Sequence, residues 1–472
     1  MRRTLAISAA AALAVPQAAC AHGFGTVPDL PVPRWLFYYG GGAAVVVSFV
    51  ALGALWHTPR LESQAAGRPL REVLQRLVLS PVLSVLLGAV GVGLLIVVFA
   101  AALLGSPSPI DNLAPTFVYV IFWLGLVPVV VLLGNVWAVL NPWRATADAY
   151  VWIASRAGGK VEPVTSYPEH LGRRPAAVLL LSFAILELAY TDPANPRALA
   201  VAILLYSYVT WAGMALFGRR AWLENGEAFN VYFDLLARMS PFATRERARG
   251  GKEIVVRTPL AGLSVGDARP GTLAFVAVML GSVGFDGFSR TTLWQSWRSD
   301  LLAGLSPGPA GDLASVALNA VGLVALVALV ALAYVAAASG ARVAAHDGRS
   351  LVDDFLLSLV PIALAYSVAH YFSLLVLQGQ LLIPLASDPL GHGWDLFGTA
   401  DYRARLTLLS PSVTWYVQVG ALVVGHVLAL VLAHDRAVTI FRTARLALRA
   451  QYATLALMVL YTVGGLWLLS HG

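Results

Sequence analysis

The hydrophobic residues of this chain fall into long runs, separated by shorter segments that hold most of the charged residues. A run of about 20 apolar residues is long enough to cross a bilayer as an α-helix. Ten runs reach or approach this length, and they predict transmembrane helices at residues 35–56, 83–104, 115–138, 176–191, 198–217, 272–288, 313–339, 354–380, 412–433 and 452–470. The fourth and sixth runs are short for a full span. The pattern predicts an all-α, polytopic transmembrane helix bundle.

The first 21 residues have the pattern of a secretory signal peptide. Arginines at positions 2 and 3 precede a short apolar core at residues 5–15, and the sequence ACA at residues 19–21 fits a small-residue cleavage site. Cleavage there makes His22 the mature N-terminus, outside the cytoplasm. The alternatives are lipoprotein processing at Cys20 and an uncleaved membrane anchor.

Composition and charge agree with a membrane protein. Hydrophobic residues make up 58% of the chain and charged residues 12%, about half the charge of a soluble domain. The five loops predicted to be cytoplasmic hold 24 lysines and arginines, whereas the outer segments hold six. By the positive-inside rule, this difference predicts that the mature N-terminus lies on the outer side of the membrane. The net charge of +7 does not indicate nucleic-acid binding, because the arginines are spread among these loops.

Residues 22–472 are predicted to form one transmembrane domain with a cytoplasmic loop at about 218–271. Within that loop, five apolar residues recur at near-helical spacing and predict an amphipathic helix along the cytoplasmic interface: Trp222, Phe229, Tyr232, Phe233 and Leu236. Residues 244–260 favour a basic turn and a short strand. Trp143 and Arg144 are interpreted as anchors at the same interface, and His434 as an ordinary loop histidine.

Four ionisable residues lie within predicted spans, where such groups usually face a cavity or the bundle interior: Glu187, Asp286, His370 and His426. Asp286 shares a helix face with Ser282 and Ser289, at spacings of four and three residues. His370 lies in a second polar stripe, with Ser367, Tyr371 and Gln378. Three helices are therefore predicted to direct polar groups into the outer half of the bundle.

These residues suggest a divalent-metal site. Glu187, Asp286 and His370 could hold zinc or manganese, with His392 and Asp395 from an outer loop completing the ligands. The alternative is that each polar residue makes an ordinary interhelical hydrogen bond. His22, with its terminal amine and imidazole, is a separate candidate copper ligand. The sequence contains no Walker A or CxxCH motif, so nothing supports an ATPase or a c-type cytochrome.

Several long segments of the sequence resemble those of a family of bacterial integral membrane proteins named fenitrothion hydrolases. They extend from the signal peptide to about Tyr402 and include AHGFG, DLPVPRWLFYYG, GNVWAVLNPWR, LELAYTDPANPRALA, GEAFNVYFDLLARMSPF, FDGFSRTTLW, HYFSLLVLQGQ and LIPLASDPLGHGWDLFGTADY. The resemblance implies a multi-pass protein of the bacterial inner (cytoplasmic) membrane, whose mature N-terminus then lies on the periplasmic side. It also implies cleavage of organophosphate triesters with release of a nitrophenol. It carries no catalytic residues over to this chain.

Three classes of function are therefore expected. The first is a membrane-embedded hydrolase of apolar triesters, in which Glu187, Asp286 and His370 hold a metal or act as a base. The second is a transporter that uses the same residues as a proton or metal pathway. The third is a copper-handling or assembly protein that uses His22. Membrane lipid and an apolar small molecule are the expected partners, and the oligomeric state is left open.

Overall fold

The computed structural model describes residues 33–247, 250–265, 269–306, 308–345, 351–441 and 443–471. The predicted signal peptide at 1–21, with Cys20, and the candidate copper ligand His22 lie outside these residues.

The described chain is almost entirely helical. The helices are α1 (Arg34–Leu55), α2 (Glu72–Val78), α3 (Pro81–Leu104), α4 (Leu113–Leu133), α5 (Trp137–Leu140), α6 (Pro142–Arg156), α7 (Arg174–Leu188), α8 (Pro196–Phe217), α9 (Arg219–Asn225), α10 (Ala228–Ala237), α11 (Ala261–Ser264), α12 (Thr272–Ser289), α13 (Thr292–Leu302), α14 (Pro309–Ala345), α15 (Val352–Ser387), α16 (Pro411–Ile440) and α17 (Ala444–His471). Short 3₁₀ turns occur at Glu62–Gln64 and Leu406–Leu408 and twice within α15, at Leu357–Leu359 and Gly379–Leu381.

Nine helical stretches in the described ranges are long and apolar enough to cross a membrane. They are α1, α2 with α3, α4, α8, α12, α14, α15, α16 and α17. The all-α architecture predicted from the sequence is therefore confirmed, and it is that of a multi-pass membrane protein.

The fourth of the ten predicted spans is α7, which does not reach this length. Its 15 residues extend for about 22 Å, against a hydrocarbon core of about 30 Å. It packs against α12 inside the bundle. The sequence had identified this span as short, and the predicted range is shifted along the chain: the helix begins two residues before it and ends three residues before its end, because the apolar run continues into the turn at Ala189 and Tyr190.

A small antiparallel sheet forms within the predicted cytoplasmic region. Strand β1 (Arg68–Pro69) pairs with β3 (Lys252–Val256), which pairs in turn with β2 (Phe242–Glu246). Thr244 lies opposite Ile254, and Arg245 lies opposite Glu253. The turn and strand predicted in this region are thus part of a hairpin that joins the loop after α1.

The predicted interfacial helix is instead a short helix buried in the bundle. In α10, Phe229, Tyr232, Phe233 and Leu236 are at most 5% exposed. Eight of its ten residues are buried, and the two that are not, Asn230 and Asp234, lie four residues apart on one face. The helix is therefore amphipathic, and its apolar face packs against protein. Glu227 caps its N-terminus by accepting hydrogen bonds from the N–H groups of the second and third residues of the helix.

Two further residues that the sequence placed at the membrane surface or in a loop are also buried in the protein. Trp143 is buried and donates its indole N–H to Ser207 Oγ at 2.8 Å, so it does not anchor a membrane surface. His434 lies in α16, which continues beyond the predicted end of its span, and the side chain is 2% exposed. In both places, polar residues that sequence reasoning assigned to an interface are satisfied inside the protein.

Candidate functional site

Helix α12 lies at the centre of the bundle and carries Asp286 near its C-terminal end. In this helix, 78% of the residues are buried, the largest share of any candidate span in the described chain. It packs against α7, α14 and α15. Asp286 is 3% exposed, so its carboxylate depends on protein groups in place of water.

Three side chains donate hydrogen bonds to the Asp286 carboxylate or share a proton with it. His370 Nε2 lies 2.7 Å from Oδ2, and the hydroxyl of Tyr371 donates to the same oxygen at 3.0 Å. Arg290 Nη2 donates to Oδ1 at 2.7 Å. A buried carboxylate is stable when it is paired and its oxygens accept hydrogen bonds, and both conditions are met here.

Local geometry explains why these residues meet. Arg290 follows Asp286 by four residues, so both lie on one face at the C-terminal end of α12, where a cation also interacts well with the helix dipole. His370 and Tyr371 are consecutive residues of α15, and their rings are perpendicular with centroids 4.8 Å apart. This arrangement lets two neighbouring side chains reach a single oxygen of the facing helix.

Within the polar cluster, Asp286 is buried, whereas His370 and Arg290 are partly exposed. The side chain of His370 is 14% exposed and that of Arg290 is 29% exposed, whereas that of Asp286 is 5% exposed. The second imidazole nitrogen, Nδ1, has no hydrogen-bond partner among the described residues. The imidazole is therefore oriented by a buried carboxylate and has one nitrogen available for a proton.

A small chamber adjoins this cluster at Tyr371. Its volume is about 10 Å³, and Glu187 contributes to its wall. The other polar wall residues are Ser282 of α12, Tyr232 of α10, and Ser367 and Tyr371 of α15. Trp123 of α4 closes one side and stacks on Tyr232, with ring centroids 4.6 Å apart. Four of the chamber's five helices thus supply a polar side chain.

The two outer-loop candidates do not join the cluster. His392 and Asp395 are both exposed. The imidazole of His392 contacts Trp394, and Asp395 accepts a hydrogen bond from the N–H of Ala400. Their loop is organised by Asp388, which accepts backbone hydrogen bonds from residues 392 and 393. Burial favours the neutral form of Asp388, but the backbone N–H groups outweigh this effect and lower the pKa of its carboxyl group.

The side chains around Asp286 are better suited to proton transfer than to binding a metal ion. Asp286 and His370 are in direct contact, but no three histidine, cysteine or acidic side chains in the described part of the chain form a group that could hold a metal. The oxygens of Asp286 already accept hydrogen bonds from Arg290 and Tyr371. Zinc requires three or four ligands at about 2.0–2.3 Å. No step of the reaction is therefore assigned to a bound metal.

The fourth intramembrane candidate, His426, lies elsewhere in the core. Its side chain is fully buried, and Nδ1 contacts the carbonyl oxygen of Leu422 at 2.8 Å within the same helix. It packs between the rings of Tyr366 and Tyr461. His426 therefore belongs to the packing of α15, α16 and α17.

Sequence reasoning missed the contribution of Arg290 and understated that of Tyr371. Arg290 was counted only as one of the outer positive charges, although its spacing of four residues from Asp286 was a usable signal for an ion pair. Ser289, expected to orient Asp286, donates instead to the Asp286 backbone carbonyl. Tyr232 could not have been assigned to the site, because nothing in the sequence places α10 beside α12.

Comparison of the chain with protein-family profiles, with curated proteins and with solved structures found no match.

Proposed function

We propose that this protein is a membrane-embedded hydrolase of apolar phosphotriesters and related esters, in which His370 acts as a general acid–base and no metal is required. The observation that carries the proposal is the contact between Asp286 and His370. A base that is held by a buried carboxylate, with its second nitrogen available, is the arrangement that activates water or a hydroxyl nucleophile in many hydrolases. Arg290 and Tyr371 hold the carboxylate in position.

Each residue then has a defined role in the reaction. A water molecule attacks phosphorus, forming a new O–P bond, while Nδ1 of His370 takes one of its protons. Asp286 stabilises the resulting imidazolium, and the exposed part of the Arg290 guanidinium interacts with the non-ester atom on phosphorus, which is oxygen in a phosphate triester and sulfur in a thiophosphate such as fenitrothion. The P–O bond to the aryl group breaks with its electron pair, and the released aryloxide takes the proton from His370 or from water.

The position of the cluster suits an apolar substrate. His370 and Arg290 are the partly exposed members; Arg290 follows the last residue of α12, and His370 lies near the middle of α15, and both helices are long enough to span a bilayer. A triester with an aryl leaving group partitions into a membrane and can approach the cluster from the lipid. The resemblance to proteins named fenitrothion hydrolases supports the same substrate class.

The proposal is tested with purified protein in lipid nanodiscs by measuring nitrophenol release from fenitrothion. We expect His370→Asn to reduce the rate by about 10²-fold or more, because a positioned general base contributes about 10²–10⁴-fold. His170→Asn is the matched control, since His170 is an exposed loop histidine. A metal chelator is expected to leave the rate unchanged.

Equal rates for wild type and His370→Asn would contradict the proposal. A rate that is lost with the chelator and restored by zinc or manganese would instead support the metal-assisted alternative.

A proton-coupled transporter is the second candidate, and the helix irregularities around Glu187 favour it. Residues 116–125 of α4 form a π-helix, a form often found at functional sites, and Trp123 within it lines the chamber. The short buried helix α10 lines the same chamber through Tyr232. Transporters commonly bind ions or substrates where such irregular helices meet inside the membrane.

Vesicle experiments distinguish the two candidates. Uptake of a labelled compound that depends on an imposed pH gradient, without any product formation, would favour transport. Cleavage of the triester without a gradient would favour hydrolysis.

A further inference from the structure

Glu187 is a carboxyl group in the bundle whose role the proposed reaction does not explain. It lies one residue before the end of α7 and faces the chamber described above. In the part of the chain that the structure describes, no hydrogen bond or ion pair joins its carboxyl group to another residue. Asp286 is close enough for the two acidic groups to interact electrostatically. An ionised carboxylate in this setting has neither a counterion nor a hydrogen-bond donor.

The chamber has the size and the polar groups that a single water molecule needs. A buried water requires a volume of about 10–15 Å³ and two to four polar partners. The chamber volume is about 10 Å³, and Glu187, Ser282, Tyr232 and Tyr371 are among its walls. Ser282, like Glu187, makes no direct hydrogen bond to another described side chain. A bridging water would satisfy both groups at once.

Tyr371 connects this chamber to the Asp286–His370 pair. Tyr371 lines the chamber, and its hydroxyl donates to Asp286 Oδ2 at 3.0 Å. His370 contacts the same oxygen. A hydroxyl in this position can pass its proton to Asp286 while it accepts another from water.

From these contacts we infer that Glu187 is held as a neutral carboxylic acid and serves as a proton store for the Asp286–His370 pair, connected to it through one chamber water and Tyr371. The proton leaves the Glu187 carboxyl group for the water, a proton of the water moves to Tyr371, and the Tyr371 proton moves to Asp286. The reverse sequence reloads Glu187. No bond other than O–H bonds forms or breaks, and no other reactant is needed.

The use of this relay in turnover rests on the proposed acid–base role of His370. The protonation state of Glu187 does not depend on that role, because it can be measured without any substrate.

Infrared difference spectroscopy of the full-length protein in nanodiscs tests the inference. We expect wild type to show the carbonyl stretch of a protonated carboxylic acid at neutral pH, to shift in D₂O and to disappear when the pH is raised. Glu187→Gln should lack this band while retaining the fold. The matched control is Glu169→Gln, which replaces an exposed loop glutamate and should keep the band.

A band that persists in Glu187→Gln, or no such band in wild type at neutral pH, would overturn the inference. With substrate, Glu187→Gln should lower the rate by about tenfold, less than the loss of a general base itself. A band that depends on Glu187 in a protein without triester cleavage would support the proton store and overturn the proposed hydrolysis.

Discussion

At the scale of single residues, Asp286 shows how an acidic group can be retained inside a membrane bundle. An unpaired charge at the bilayer centre costs a few kcal/mol or more. Arg290, Tyr371 and His370 surround the carboxylate and supply a positive charge and polar hydrogens. Pairing makes the charge tolerable, and the same contacts orient the imidazole, so stability and chemistry depend on one set of bonds.

A second buried carboxylate, Asp435, has a different role. It is fully buried in α16 and accepts hydrogen bonds from the indole N–H of Trp56 at 3.0 Å and from the backbone N–H of Arg60 at 2.6 Å. The backbone N–H groups of Leu61 and Glu62 lie within 3.3 Å of the same carboxylate. Asp435 thereby holds the loop that follows α1 against the C-terminal part of α16.

We predict that Asp435→Ala destabilises the protein strongly. The substitution leaves several buried N–H donors without acceptors, at a cost of about 1–3 kcal/mol for each donor that cannot reach water. Thermal unfolding of the purified variant in detergent should occur at a clearly lower temperature than in wild type. Asp300→Ala, at an exposed position, is the control and should unfold like wild type. Similar unfolding of both variants would show that the loop is not held by Asp435.

At the scale of elements, the position of His370 depends on close packing between α15 and α16. These two helices make the most extensive contact in the described structure. Gly425 of α16 faces Ala365 of α15 so closely that an added Cβ would lie 2.1 Å from the Ala365 Cβ. Small residues allow membrane helices to approach in this way. Because His370 lies five residues beyond Ala365, any shift of α15 at this contact would also move the imidazole.

Two glycines on the same helix allow this dependence to be tested. Gly425→Ala should destabilise the protein by about 1–3 kcal/mol through overpacking and should also lower triester cleavage. Gly420→Ala should be neutral or stabilising by up to about 1 kcal/mol, because nothing lies within 4 Å of its added Cβ and alanine favours a helix. Thermal unfolding and cleavage rates of the two variants provide the comparison. Wild-type behaviour of Gly425→Ala would argue against a rigid contact between α15 and α16.

At the scale of the whole molecule, the distribution of charge and the packing of helices give complementary information about topology. The 24-to-6 distribution of lysine and arginine predicts which loops are cytoplasmic. The structure contributes nine candidate spans among its described residues and one shorter helix, α7, buried against α12. If both termini lie outside, the chain must cross the membrane an even number of times. The helix α7 must then also connect one side of the membrane to the other, in addition to the nine candidate spans.

Cysteine labelling tests this topology directly. Cys20 is the only cysteine and lies in the predicted signal peptide, so a cleaved mature chain would contain none. We predict that a membrane-impermeant maleimide labels Asp401→Cys from outside intact spheroplasts and labels Ser155→Cys only after permeabilisation. Sequencing of the purified chain should give His22 as the first residue. The opposite labelling pattern would invert the topology.

The sequence by itself determined the class of structure and the composition of the site. Long apolar runs require helices, since backbone groups in lipid must bond within their own segment, and that pattern was sufficient to predict an all-α bundle. Asp286, Glu187 and His370 were identified from the same apolar runs. Ionisable groups inside a membrane cost free energy and are rare there, so each of them suggests a function. The i+4 position of Arg290 was also readable along the chain.

Tertiary structure decided which of these residues meet. Hydropathy along the chain does not specify which helix faces which, so the contact of His370 and Tyr371 with Asp286 could not be derived from it. Nor could it separate His392, which remains exposed in its own loop, from the residues that line the bundle. The burial of α10 was missed because the apolar face of an amphipathic helix is equally compatible with a membrane interface and a protein interior. Only packing distinguishes these surroundings, since it depends on contacts between residues far apart in the sequence.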